Sequence, residues 1–160
     1  MIIDKIPEFD DNQLLNLYRN AIRYLDHAEK RKEAGEILEA ISSEWKLRLE
    51  QFDKGNYKAT TPKIGLLKKM GYVVGQEGVK TVTRHKILDY IMENDLPPVS
   101  SPSYMEEWGS PMSRYRYKKL HRVLNAFVTG NQNKENIEKA IIEWKEDIDY
   151  IENNWRLKVF

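Results

Sequence analysis

Arg114, Lys118 and Arg122 step by four residues, so on a helix they form one row, with Tyr115 and Lys119 beside it. A row of cations with an aromatic companion suits phosphate contact and stacking on a flat ring. Like charges at that spacing repel, a cost that fold stability does not explain unless acidic neighbours intervene; Glu106 and Glu107 are the residues placed to do so. A second basic cluster, Lys80, Arg84 and Lys86 with His85, crowds the start of another helical run. Each cation at a helix N-terminus opposes the macrodipole at up to about 1 kcal/mol, so such a cluster is more natural beside an anion. Lys80, Arg84 and Lys86 with Arg114, Tyr115, Lys118, Lys119 and Arg122 form the expected nucleic-acid-binding set, and their partner would be DNA or RNA.

Both clusters lie in one part of the chain. Residues 54–122 carry 13 Lys and Arg against 6 Asp and Glu, whereas residues 1–53 carry 8 against 12 and residues 124–160 carry 5 against 7. The formal net charge of +1 is therefore a sum of unlike regions. With 160 residues, 41% hydrophobic and 32% charged, the chain suits a single folded domain over 1–160. The absence of cysteine excludes disulfides, thiolate metal sites and cysteine nucleophiles. No continuous apolar stretch resembles an export signal or a membrane span, and a cytoplasmic location is expected.

The elements that must position the clusters read as helices, about six of them in a bundle-like core. Outer helices are expected over 11–54 and 134–157, flanking a basic, turn-rich middle over 55–130. Leu14, Tyr18, Ala21, Ile22, Leu25 and Ala28 recur at helical spacing, as do Ala34, Ile37, Leu38, Ile41, Trp45, Leu49 and Phe52. The break near residues 27–32 lacks Pro and Gly and fits a tight helical hairpin or a single bent helix; the hairpin is the expected form, with Glu29, Lys30, Arg31 and Lys32 at its turn. Ile137, Ile141, Trp144, Ile148, Ile151 and Trp155 form a heptad-like seam, expected as one wall of the bundle. In the middle, Thr61 and Pro62 open a short helix bearing Ile64, Leu67 and Met70. A β arm near residues 72–74 is the most sheet the sequence predicts. Thr81 or Thr83 caps the next helix, and Ser110 with Pro111 opens the one carrying the basic row, whose apolar face is Tyr117, Leu120, Leu124, Phe127 and Val128.

The helix, extension, helix order over residues 61–93, with its Gly71-Tyr72 turn, resembles in outline the SAP-type modules that bind DNA. The connection from Gly71 to Thr83 is longer and richer in glycine than such a module requires, so the likeness is one of shape. Residues 95–110, rich in proline and aromatics, predict an ordered loop; a rival reading makes Tyr104 and Trp108 an interaction loop.

No sequence feature specifies catalysis. His27, His85 and His121 have no ligand-like spacing, and neither a phosphate-binding glycine loop nor a nucleophile elbow is present. Gly71, Gly75 and Gly78 read as turn formers. The expected function is a non-enzymatic nucleic-acid-binding or accessory module without cofactor or metal, contacting phosphate through a basic helix face. The alternative is a helical protein-interaction module that uses the acidic outer helices or the Trp108 loop.

Overall fold

The computed structural model describes residues 1–58 and 65–160, so the helix start expected at Thr61 and Pro62, and Ile64, lie outside the described residues. The fold is mainly α, and the described residues contain no strand. The chain forms α1 (Ile2–Lys5), a 3-10 turn (Ile6–Glu8), α2 (Asp11–Tyr24), α3 (Arg31–Asp53), α4 (Leu66–Lys69), α5 (Thr81–Glu93), α6 (Pro102–Glu106), α7 (Arg114–Asn131), α8 (Glu138–Asn154) and α9 (Arg156–Val159). Backbone contacts gather these into two compact units, one of Met1–Gly71 with Asn94–Met105, the other of Tyr72–Glu93 with Glu106–Phe160.

In the first unit, Asp10 begins α2 with a reciprocal cap. Its carboxylate accepts from the Gln13 amide at 2.8 Å, and the Gln13 side chain accepts from the Asp10 amide at 2.8 Å. The face of Leu14, Leu15, Tyr18, Ala21 and Ile22 is buried, as are Ala34, Ile37, Leu38, Ile41, Trp45 and Phe52 on α3. The expected hairpin is present, although α2 stops at Tyr24 and leaves Ala28 exposed; Glu29 and Lys30 remain in the turn while Arg31 opens α3. Tyr18 stacks at a tilt on Trp45, with ring centroids 5.6 Å apart, and donates its hydroxyl proton to the Met70 carbonyl at 3.0 Å. Leu96 and Val99 are buried, and the Asp95 amide beside them donates to Ser42 Oγ at 2.9 Å.

In the second unit, α8 packs against both α5 and α7. Trp144, Ile148, Ile151 and Trp155 of the predicted seam are buried, so the seam is an internal wall. The basic helix begins later than Pro111 suggested: Ser113 is the cap, its Oγ accepting from the Arg116 amide at 3.1 Å, because Met112 takes a left-handed φ of 61° and keeps the preceding residues in a turn.

Residues 72–74 form no strand but enter a closed loop. The Val79 amide donates to the Val73 carbonyl at 2.9 Å, and a Cβ built on Gly78 would lie 2.6 Å from backbone atoms of Val73 and Val74. The loop can close only where residue 78 has no side chain. Gly78→Ala is expected to lower stability by about 1–3 kcal/mol. Gly35→Ala, inside α3 where an added Cβ meets nothing within 4 Å, is expected to raise it by about 0.5–1 kcal/mol. Urea unfolding followed by helical circular dichroism checks both.

Candidate nucleic-acid interface

The crowded cations at the start of α5 do have an anion beside them, and it belongs to the fold. Arg84 is fully buried, and its Nε donates to Asp147 Oδ2 at 2.7 Å while Nη1 donates to Glu143 Oε2 at 2.6 Å. Nη1 also donates to the Val79 carbonyl, and Nη2 to Thr81 Oγ1 and Asp147 Oδ1. All five guanidinium N–H groups thus have acceptors. Burial works against the charge, but the hydrogen bond and charge of Asp147, joined by Glu143, outweigh it and raise the Arg84 pKa. Asp147, itself fully buried, accepts from the Tyr72 hydroxyl at 2.6 Å and pairs with His85 Nε2 at 3.0 Å. Glu143 Oε1 accepts from the Gly75 amide at 2.7 Å, tying the 73–79 loop to α8.

This geometry corrects the assignment of Arg84 as a phosphate contact: no surface remains on it. Lys86 is also withdrawn, since its Nζ lies out of solvent and burial lowers its pKa. Lys80 is exposed.

The aromatic loop is likewise structural. Trp108 is 1% exposed, which corrects its reading as a recognition element. Tyr104 accepts from the Leu66 amide at 2.9 Å, serving the first turn of α4. Trp108 also ends beside a buried cation that the sequence reading missed. Arg116, 2% exposed, donates to the Trp108 carbonyl at 2.8 Å, to the Gly109 carbonyl at 2.9 Å and to the Ile91 carbonyl. Ile91 lies in the last turn of α5, where carbonyls lack intrahelical donors and a cation is favoured. A signal for both buried arginines was present in the spacing. Arg84 is in register with Ile87, Leu88 and Ile91, Arg116 with Leu120 and Leu124, and Asp147 with Trp144, Ile148 and Ile151.

What remains on the surface, besides Lys80, is the row on α7. This helix has 18 residues with five Lys or Arg and no Asp or Glu. Arg114, Lys118 and Arg122 are exposed, and among the described residues none of them pairs with a carboxylate. At 100° per residue these three fall within about 80° of one another, and Tyr115 lies about 20° beyond Arg122. Tyr115 is 74% exposed. Its Cβ abuts Gly109, where an added Cβ would lie 2.8 Å away and where φ is +63°. Lys119 sits at the margin, 3.7 Å from Glu107 and 5.8 Å from the centre of the Trp108 ring, so Glu107 does act as one of the acidic neighbours expected. On the opposite margin, Arg114 and Lys118 lie over the Phe160 ring at 5.4 and 5.7 Å, and Arg114 Nε donates to the Val159 carbonyl at 3.3 Å.

The two basic clusters do not merge. Arg84 faces Glu143 and Asp147 at the start of α5, whereas α7 begins at the other end of that helix, where Met112 donates to Met92 and Arg116 to Ile91. From Arg84 to Ile91 the α5 axis rises about 10 Å. The histidines do not converge either: His85 stacks on Tyr150 with centroids 3.8 Å apart, and His121 pairs with Glu152 at 2.7 Å. Among the described residues no group of three or more His, Asp or Glu is placed to hold a metal ion, and no helix is long and apolar enough to cross a membrane. No protein-family model matches the chain, and no curated protein or solved structure is significantly similar to it.

Arg84→Met should cost about 3–5 kcal/mol, because it strands the Asp147 and Glu143 carboxylates, and adding Asp147→Leu should recover part of that loss in urea unfolding. The Tyr72 hydroxyl is held above its ordinary pKa of 10.0 by burial first and then by Asp147. The folded state keeps this proton more tightly than the unfolded chain, so the contribution is full below about pH 10 and is lost as pH climbs above it. Stability measured from neutral to strongly alkaline pH should therefore fall less steeply for Tyr72→Phe.

Proposed function

We propose that this protein is a non-enzymatic nucleic-acid-binding or accessory module that contacts phosphates through the exposed face of α7. The reading is carried by one observation: Arg114, Lys118 and Arg122 stand in a row on an acid-free helix, without a carboxylate partner among the described residues. The repulsion within that row is not relieved inside the fold as that around Arg84 is, and a polyanion would relieve it. Arg and Lys reach phosphate oxygens of any sequence, so the expected binding is dominated by counterion release and is weakly sequence-specific. The interaction surface is smaller than the sequence suggested, with Arg84 and Lys86 serving the interior and Lys119 shared with Glu107. The burial of Trp108 also removes the loop on which the protein-docking alternative partly relied.

Fluorescence anisotropy with labelled DNA and RNA over a salt series tests the proposal. With three phosphates neutralised, log K should fall against log salt with a slope of about −2 on single strands and about −2.7 on duplex DNA. Arg114→Glu/Lys118→Glu, with unchanged circular dichroism, should weaken binding about tenfold or more at low salt. Binding that is absent at low salt, or indifferent to salt, overturns the proposal.

A further inference from the structure

The α7 face carries more than charge. Two exposed rings flank the basic row: Tyr115, 74% exposed, beyond Arg122, and Phe160, 53% exposed, beside Arg114 and Lys118. We propose, resting on the nucleic-acid reading above, that the ligand is a single strand, with its phosphates on Arg114, Lys118 and Arg122 and its bases stacked on Tyr115 and Phe160.

Charge alone does not distinguish a duplex from a single strand, but the rings do. In a duplex the flat faces of the bases are occupied by neighbouring pairs, and only their edges face a protein lying in a groove. A single strand presents those faces, and stacking on aromatic side chains tolerates any base. Both rings are held at their bases, as stacking platforms must be to retain affinity. Tyr115 rises from the first turn of α7, and its Cβ fits against a Gly109 that has no room for a side chain. Arg116, from the same turn, donates to the Gly109 carbonyl and fixes that contact. The Phe160 ring packs edge-on to Tyr117 with centroids 5.7 Å apart, and two cations lie over it. Arg114, between the rings, keeps its Nε on the Val159 carbonyl and leaves the rest of its guanidinium for a phosphate. The row rises about 12 Å from Arg114 to Arg122, room for a short run of nucleotides.

The experiment compares the protein's affinity for a labelled oligothymidylate, an oligouridylate of the same length and a duplex of that length, at one salt concentration. The expected result is single strands bound at least about tenfold tighter than duplex, with Tyr115→Ala and Phe160→Ala each weakening single-strand binding about fivefold or more and leaving duplex binding unchanged. Tyr115→Phe, which keeps the ring, should retain single-strand affinity and controls for folding. A preference between the two single strands, which differ both in sugar and in the thymine methyl, supports the proposal equally. Equal binding of strands and duplex, with neither alanine variant altering it, overturns this inference while leaving phosphate contact through α7 intact. Binding to none of these probes overturns both readings.

Discussion

The junction of α5 with α8 depends on one buried cation. Arg84 is surrounded by acceptors from three directions: α8 through Asp147 and Glu143, the 73–79 loop through the Val79 carbonyl, and its own helix through Thr81. A guanidinium taken out of water is costly, and only nearly complete satisfaction of its donors makes the site tolerable. The same carboxylates collect Tyr72, His85 and Gly75, so the start of α5, the middle of α8 and the loop between Tyr72 and α5 are arranged around one charge. Farther along the pair, Asp89 accepts from the Tyr150 hydroxyl and from Trp155 Nε1 at 2.8 Å, repeating the link in a form without a buried cation.

On α7 a difference of two residues separates fold from surface. Arg114 and Arg116 share the first turn, yet one is exposed and the other nearly sealed against carbonyls. Arg is suited to both roles because its planar fork can satisfy several acceptors at once or present donors to a passing phosphate. A helix whose buried side already holds one guanidinium and whose open side holds three further cations, without any acid, has its charge oriented by packing. The residues nearest the helix margins, Lys119 and Arg114, are shared between the two roles.

The helices were legible because their apolar residues repeat at the right period over many turns, as in α2, α3, α7 and the α8 seam. The hairpin after α2 was legible as an interruption of that period. The destination of each charge was much less so. Arg84 meets Glu143 and Asp147 across 59 and 63 residues, and no local pattern records such a pairing. Its position in the apolar register was the available clue, whereas a count of charges along the chain treated it like the exposed lysines. Trp108 stood between two readings, an ordered loop packed by its own aromatics and a surface recognition element, and the first holds: the turn at Gly109 and the carbonyls held by Arg116 draw it inward. Tyr115 and the exposed row were legible directly, since four-residue spacing and the neighbouring ring need only the helix itself.

The distance in sequence between Arg84 and its carboxylates has a consequence for the growing chain. At translation rates of about 5–20 residues per second, Arg84 emerges roughly 3–13 s before Asp147 follows it. Through that interval the start of α5 has neither its counter-charge nor the wall it packs on, so the second unit closes only once α8 has been made. The first unit includes Asn94–Met105 and so has its own last segment earlier in synthesis. The order of completion is thereby written into the chain, with α7 made before the helix that supports it.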